Sequence, residues 1–182
     1  MFSLPSLAAP PDPVQIESIK ADFTQEKHLK ILARPIVSTG TFTFAAPQSL
    51  RWEYRTPIPS ILVMYEGKIR KYLRKNGEFI EDKGMRLDAM QVVLAEISSW
   101  LDGRFTENEV FNVSFPDEHT VLLRPKEKSF ANLINRIELK LADRHGLLDS
   151  VTIFEGVDSY TKMTFSNRVL NQDIPTSVFS IQ

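Results

Sequence analysis

The stretch that decides the fold reads Thr39-Gly40-Thr41-Phe42-Thr43-Phe44-Ala45-Ala46-Pro47-Gln48-Ser49-Leu50-Arg51-Trp52-Glu53-Tyr54. Gly40, Phe42 and Phe44 alternate with threonines, and Leu50, Trp52 and Tyr54 alternate with Arg51 and Glu53. A period of two with bulky apolar residues on one side is the pattern of a half-buried β-strand. Pro47 falls between the two runs, where its missing N–H does no harm, so the stretch predicts two antiparallel strands with one greasy face.

The same alternation extends along most of the chain. Strands are expected over 21–29, 36–45, 49–55, 60–66, 68–75, 77–81, 109–115, 119–124, 134–142, 147–154, 160–169 and 177–181. Asn76-Gly77 is the strongest hairpin signal, because both residues tolerate the positive φ of a type I′ turn, and Glu66-Gly67 punctuates similarly. Ile16 and Ile19 are spaced for a short helix over 14–20, and a helical turn is expected between Glu127 and Asn135. The clear exception is Leu87, Met90, Val93, Leu94, Ile97, Trp100 and Leu101, which recur at intervals of three and four and predict an amphipathic helix ending near Gly103.

A long antiparallel sheet with one apolar face must curl, and more than about eight strands enclose more space than their side chains fill. The fold expected is therefore mainly β with some α. It is an incomplete, half-open antiparallel β-barrel of about 11 strands, with helices covering the open side. Phe42, Phe44, Leu50, Trp52, Tyr54, Ile61 and Val63 are expected to line an apolar cavity, and Met90, Leu94 and Ile97 to face it from the helix as a lid.

Composition limits the alternatives. The 182 residues are 42% hydrophobic and 25% charged with a net charge of −1, which describes one folded domain with no general pull toward nucleic acid. That domain is expected over 14–182, after a disordered lead-in at 1–13 that is either the remnant of a removed export region or unrelated to export. There are no cysteines, which removes disulfides, thiolate metal sites, cysteine nucleophiles and a lipid-modified N-terminal cysteine. No apolar run reaches the roughly 18 residues of a membrane span. His28, His119 and His145 have no second ligand at metal-like spacing, and Glu81-Asp82 and Asp117-Glu118 lie in polar turns. No nucleophile elbow or phosphate-cradling glycine loop occurs. The chain is expected to be a monomer without enzymatic activity, metal or cofactor. Lys68, Arg70, Lys71, Arg74 and Lys75 form a basic strand that is either a solvated face discouraging edge pairing or a docking patch for an acidic protein surface or anionic head groups.

Taken together, Phe23-x-Gln25-x-Lys27, Gly40-x-Phe42-x-Phe44-x-x-Pro47, Leu50-Arg51-Trp52-Glu53-Tyr54-x-x-Pro57 and Glu66-Gly67-Lys68 resemble the outer-membrane lipoprotein carrier protein (LolA) family. Asn167, Asn171 and Phe179 look like its closing strands. The resemblance implies an incomplete barrel and a periplasmic carrier, a transport chaperone of outer-membrane biogenesis, that shields the acyl chains of lipoproteins or a related lipid. It implies an inner-membrane transporter that loads the chain and an outer-membrane acceptor that unloads it. A lipid-binding sensor on the same fold is the alternative. One departure is visible: the family's arginine immediately before the Pro47 position, which latches the lid, is Ala46 here. Arg34 and Arg51 are the possible substitutes, although alternation puts Arg51 opposite Trp52.

Overall fold

The computed structural model describes residues 15–84, 93, 96, 97, 99–101, 104–142 and 147–181. Among them, eleven strands form one antiparallel sheet: β1 (Ser18–His28), β2 (Ile36–Ala45), β3 (Ser49–Thr56), β4 (Ser60–Tyr65), β5 (Lys68–Lys75), β6 (Glu78–Glu81), β7 (Phe111–Asp117), β8 (Thr120–Pro125), β9 (Arg136–Leu141), β10 (Leu148–Phe154) and β11 (Tyr160–Leu170). The spatial order is β6-β5-β4-β3-β2-β1-β11-β10-β9-β8-β7. The outer strands β6 and β7 do not pair, so the sheet stays open.

Two hairpin meanders are therefore joined through one long-range seam. β1 pairs with β2 on one side and with β11 on the other, Phe23 lying opposite both Gly40 and Phe165. The seam is fastened at its end by Asn171, whose side-chain oxygen accepts from the Glu17 N–H at 2.9 Å. The expected hairpins are present: Glu66 and Gly67 have φ of 50° and 71°, and Asn76 and Gly77 of 52° and 89°, the positive pair that a type I′ turn requires.

Two local expectations are corrected. Residues 18–20 are strand, because their backbone pairs with 43–45 of β2, and that ladder outweighs a helical spacing of two isoleucines. Residues 177–181 are not a strand, since Thr176–Phe179 is a single 3₁₀ turn lying against β3 and β4. The helical turn expected between Glu127 and Asn135 is found at Lys128–Ala131. The 1–13 lead-in lies outside the described residues.

The concave face holds the main core. Phe23, Phe42, Phe44, Leu50 and Trp52 from the N-terminal half join Val121, Leu139, Val151 and Met163 from the C-terminal half. Helical residues Val93, Ile97, Trp100 and Leu101 belong to the same cluster and cover its centre. At its middle Gly40 permits a close approach: a Cβ there would overlap the Glu53 carbonyl oxygen and come within 2.8 Å of the Phe23 ring. Replacing Gly40 by Ala is expected to cost on the order of 2 kcal/mol or more, read as a lower urea midpoint with an unchanged slope.

Candidate functional site

Alternation and register together assign each predicted residue to a face. Phe42, Trp52 and Leu62 are register neighbours across β2, β3 and β4, as are Phe44, Leu50 and Met64. All six are buried in the concave core. The Trp52 ring packs against Phe23 at 5.0 Å and Phe42 at 5.1 Å between centroids. Ile97 is fully buried in this cluster. Met90 and Leu94 lie outside the described residues.

Space for a ligand opens beyond Tyr54. This residue is only partly buried, and its hydroxyl donates to Gln25 Oε1 at 2.7 Å, forming a polar rung across β1 and β3. Past that rung lies a cleft of about 390 Å³, within the size range of small-molecule sites. Ile36, Ile58, Leu62 and Leu73 give it apolar walls, Gln25, Ser38 and Ser60 add polar groups, and Lys27 and Lys71 are its charged residues. Exposed Ile36 and Ile58, with Ile31 and Leu32 in the β1–β2 loop, place apolar surface at this end of the sheet.

Val63 is not in the cavity, which corrects its assignment. Trp52 pairs with Leu62, so period-two alternation turns Ile61 and Val63 to the opposite face. There they form a second core with Phe179, flanked by Tyr65, Tyr72, Phe79 and Val178. Ile61 belongs to that cluster and also borders the cleft. All of residues 61–64 are buried, so β4 is apolar on both faces and periodicity alone could not choose between them.

The basic strand divides in the same way. Lys68, Arg70 and Arg74 share the face of Val63, while Lys71 is paired with Leu62 and shares the concave face. Lys68, Arg70, Arg74 and Lys75 are exposed, and Lys71 is half-buried. The five residues are therefore not one patch. Lys27, Ile36, Leu62 and Leu73 were missed as cleft residues, although counting by two from Phe23 reaches Gln25 and Lys27.

Arg51 is committed elsewhere. Its guanidinium pairs with Glu53 at 2.8 Å and donates to the Val178 carbonyl at 3.1 Å, holding the C-terminal segment against the convex face. Arg51 therefore faces away from the concave core, as its alternation with Trp52 predicts. Arg34 is exposed in the β1–β2 loop.

Among the described residues no Asp, Glu or His lines the cleft. Asp117 is held below the ordinary aspartate range by the Thr120 hydroxyl, then by the His119 backbone N–H, in an exposed turn. Among the described residues no three His, Cys, Asp or Glu side chains group as metal ligands, and no helix is long and apolar enough to cross a membrane. His28 stacks on Tyr160 at 4.3 Å; His145 lies outside the described residues.

The geometry defines a class: an open half-barrel with an apolar concave face. The chain belongs to the family described as outer membrane lipoprotein carrier protein LolA, whose model matches residues 14–182. Comparison with curated proteins gives no match. Among solved structures it is similar to a DUF1329 family protein from Desulfovibrio piger, at 8% identity and a TM-score of 0.48, covering 91% of this chain and 90% of that one. It is also similar to a LolA superfamily protein from Nitrosomonas europaea, at 9% identity and a TM-score of 0.45, with 92% of each chain covered. A third similarity is to the Pseudomonas aeruginosa MucA/MucB complex structure, at 12% identity and a TM-score of 0.42, covering 91% of this chain and 56% of that one.

One half-buried carboxyl lies away from the cleft. Glu96, on the helix, accepts from Asn108 Nδ2 at 2.7 Å, yet burial raises its pKa above the ordinary glutamate value more than that bond lowers it. The folded state then binds the proton more tightly than the unfolded chain, so stability falls as pH rises from the ordinary value through the raised one. Glu96→Gln keeps an acceptor for Asn108. It is expected to melt at a higher temperature than the parent at neutral pH, with the difference vanishing below about pH 4, as followed by circular dichroism.

Proposed function

We propose that this protein is a non-enzymatic carrier in the bacterial periplasm that shelters the acyl chains of a lipoprotein or related lipid and moves them between the inner and outer membranes. The observation that carries this reading is the cleft past Tyr54, an opening about 390 Å³ in volume that continues the apolar concave face of the sheet. Family membership supports it. The partners follow from the same reading: an inner-membrane transporter that loads the carrier and an outer-membrane acceptor that receives the cargo.

The energetics call for such a shelter. Each methylene left in water costs about 0.8 kcal/mol, so one chain of about fourteen methylenes is exposed at a cost of about 11 kcal/mol. A carrier must recover part of this and still release its cargo, because tighter binding lowers the rate of leaving more than it raises the rate of arrival. A cleft with one open side and a mixed polar and apolar lining meets both demands better than a closed cavity.

Leu73 is half-buried and lines the cleft, so Leu73→Glu should spare the core while placing a charge against the acyl chain. In displacement of a fluorescent apolar probe by a diacyl lipopeptide, this variant should bind at least about tenfold more weakly, with an unchanged circular dichroism spectrum. Absence of probe binding to the parent protein, or equal binding by the variant, would sink the carrier reading.

A further inference from the structure

We infer that the cleft selects an amphiphile with an anionic head, Lys71 holding the head while the chain lies along Ile36, Leu62 and Leu73. The inference rests on the acyl-shelter reading above and adds the chemistry of the head group.

Lys71 occupies a position where the pattern of β5 asks for an apolar residue. It alternates with Ile69 and Leu73 on the concave side and is paired with buried Leu62. A lysine there gives up part of its hydration, which is costly unless an opposite charge compensates. The other basic residues of 68–75 avoid this by being exposed. Lys71 makes no ion pair among the described residues, whereas Lys30, outside the cleft, pairs with Asp158 at 2.9 Å.

The remaining cleft residues give the same sign. Lys27 is the second cation, and its carboxylate neighbour, Glu155, stands 3.6 Å away, an ion-pair distance longer than a good charge-assisted hydrogen bond. No Asp or Glu lines the cleft among the described residues. Ser38 and Ser60 provide hydroxyl donors, which an anionic oxygen accepts from. A small inorganic anion would leave Ile36, Ile58 and Leu73 in water, and a plain hydrocarbon would leave Lys71 uncompensated. A molecule with both parts satisfies both sets of groups.

The test compares three ligands with the same twelve-carbon chain: dodecanoate, dodecyl phosphate and dodecanol, each displacing a fluorescent apolar probe at neutral pH and low salt. The parent protein should bind at least one of the anions about tenfold or more tighter than the alcohol. Preference for one anion identifies a carboxylate or a phosphate source, and equal affinity for both shows that charge alone is read. In Lys71→Gln that preference should fall toward unity while alcohol binding is unchanged, and Lys71→Arg should restore it. Equal affinity of the parent protein for anions and alcohol, or a preference that survives in Lys71→Gln, overturns the anionic-head inference but leaves acyl shelter standing, because the alcohol still binds. Failure of all three ligands to bind overturns the acyl-shelter reading itself, and this inference with it.

Discussion

The structure depends on the ring of Phe23 lying across the bare backbone of Gly40. Phe23 is 2% exposed and touches Trp52 at 5.0 Å and Tyr54 at 5.1 Å between centroids, so one side chain from β1 reaches over β2 to β3. That reach is possible because Gly40 contributes no side chain between them. A Cβ at this point would push the ring away and separate the strands that form the floor of the concave face. The aromatic cluster then extends through Phe42 and Phe165, tying the two halves of the sheet across the β1–β11 seam.

Burial is arranged on both sides of this floor, for different purposes. On the concave side the core is filled at its centre by aromatic rings and helical side chains, and among the described residues a cleft opens past Tyr54. On the convex side Phe179 stacks against Tyr65 and Arg51 fastens the same segment through the Val178 carbonyl. That second cluster stiffens β3 to β5 from behind, so the strands that carry Tyr54, Leu62 and Leu73 have support on the face away from the cleft. The arginine beside Trp52 in sequence thus serves the scaffold, and among the described cleft residues Lys27 and Lys71 carry the charge.

Much of the architecture was legible in the residues. Alternation in 36–45 and 49–56 is strong because each strand has one wet and one dry face, and the Asn76-Gly77 turn is legible because few residue pairs adopt two positive φ values. Legibility failed where the pattern loses contrast. The run Ile61 to Met64 is apolar throughout, so it carries no signal for which side faces the cavity. The basic run Lys68 to Lys75 has the opposite defect: it looks uniformly solvated, yet pairing with β4 turns Lys71 inward. Ser177 to Ile181 alternates well enough to suggest a strand, but it lies against the faces of β3 and β4 and packs as a 3₁₀ turn through Phe179 instead.

By itself the sequence determined the period of each segment, the positions of the hairpins, the absence of thiol chemistry and the presence of one bulky apolar face, because these follow from local sterics and side-chain polarity. The tertiary structure alone decided that β1 would join residues about 140 positions apart in the chain through its pairing with β11, which residues of β4 would see the cavity, and that Lys71 would face the cleft while Arg51 faces away. The physical reason is that a strand's own alternation defines two faces but not which is inside. That choice is made by register with its neighbours, and register here is set by Phe23, Gly40 and Trp52 meeting at the centre of the sheet.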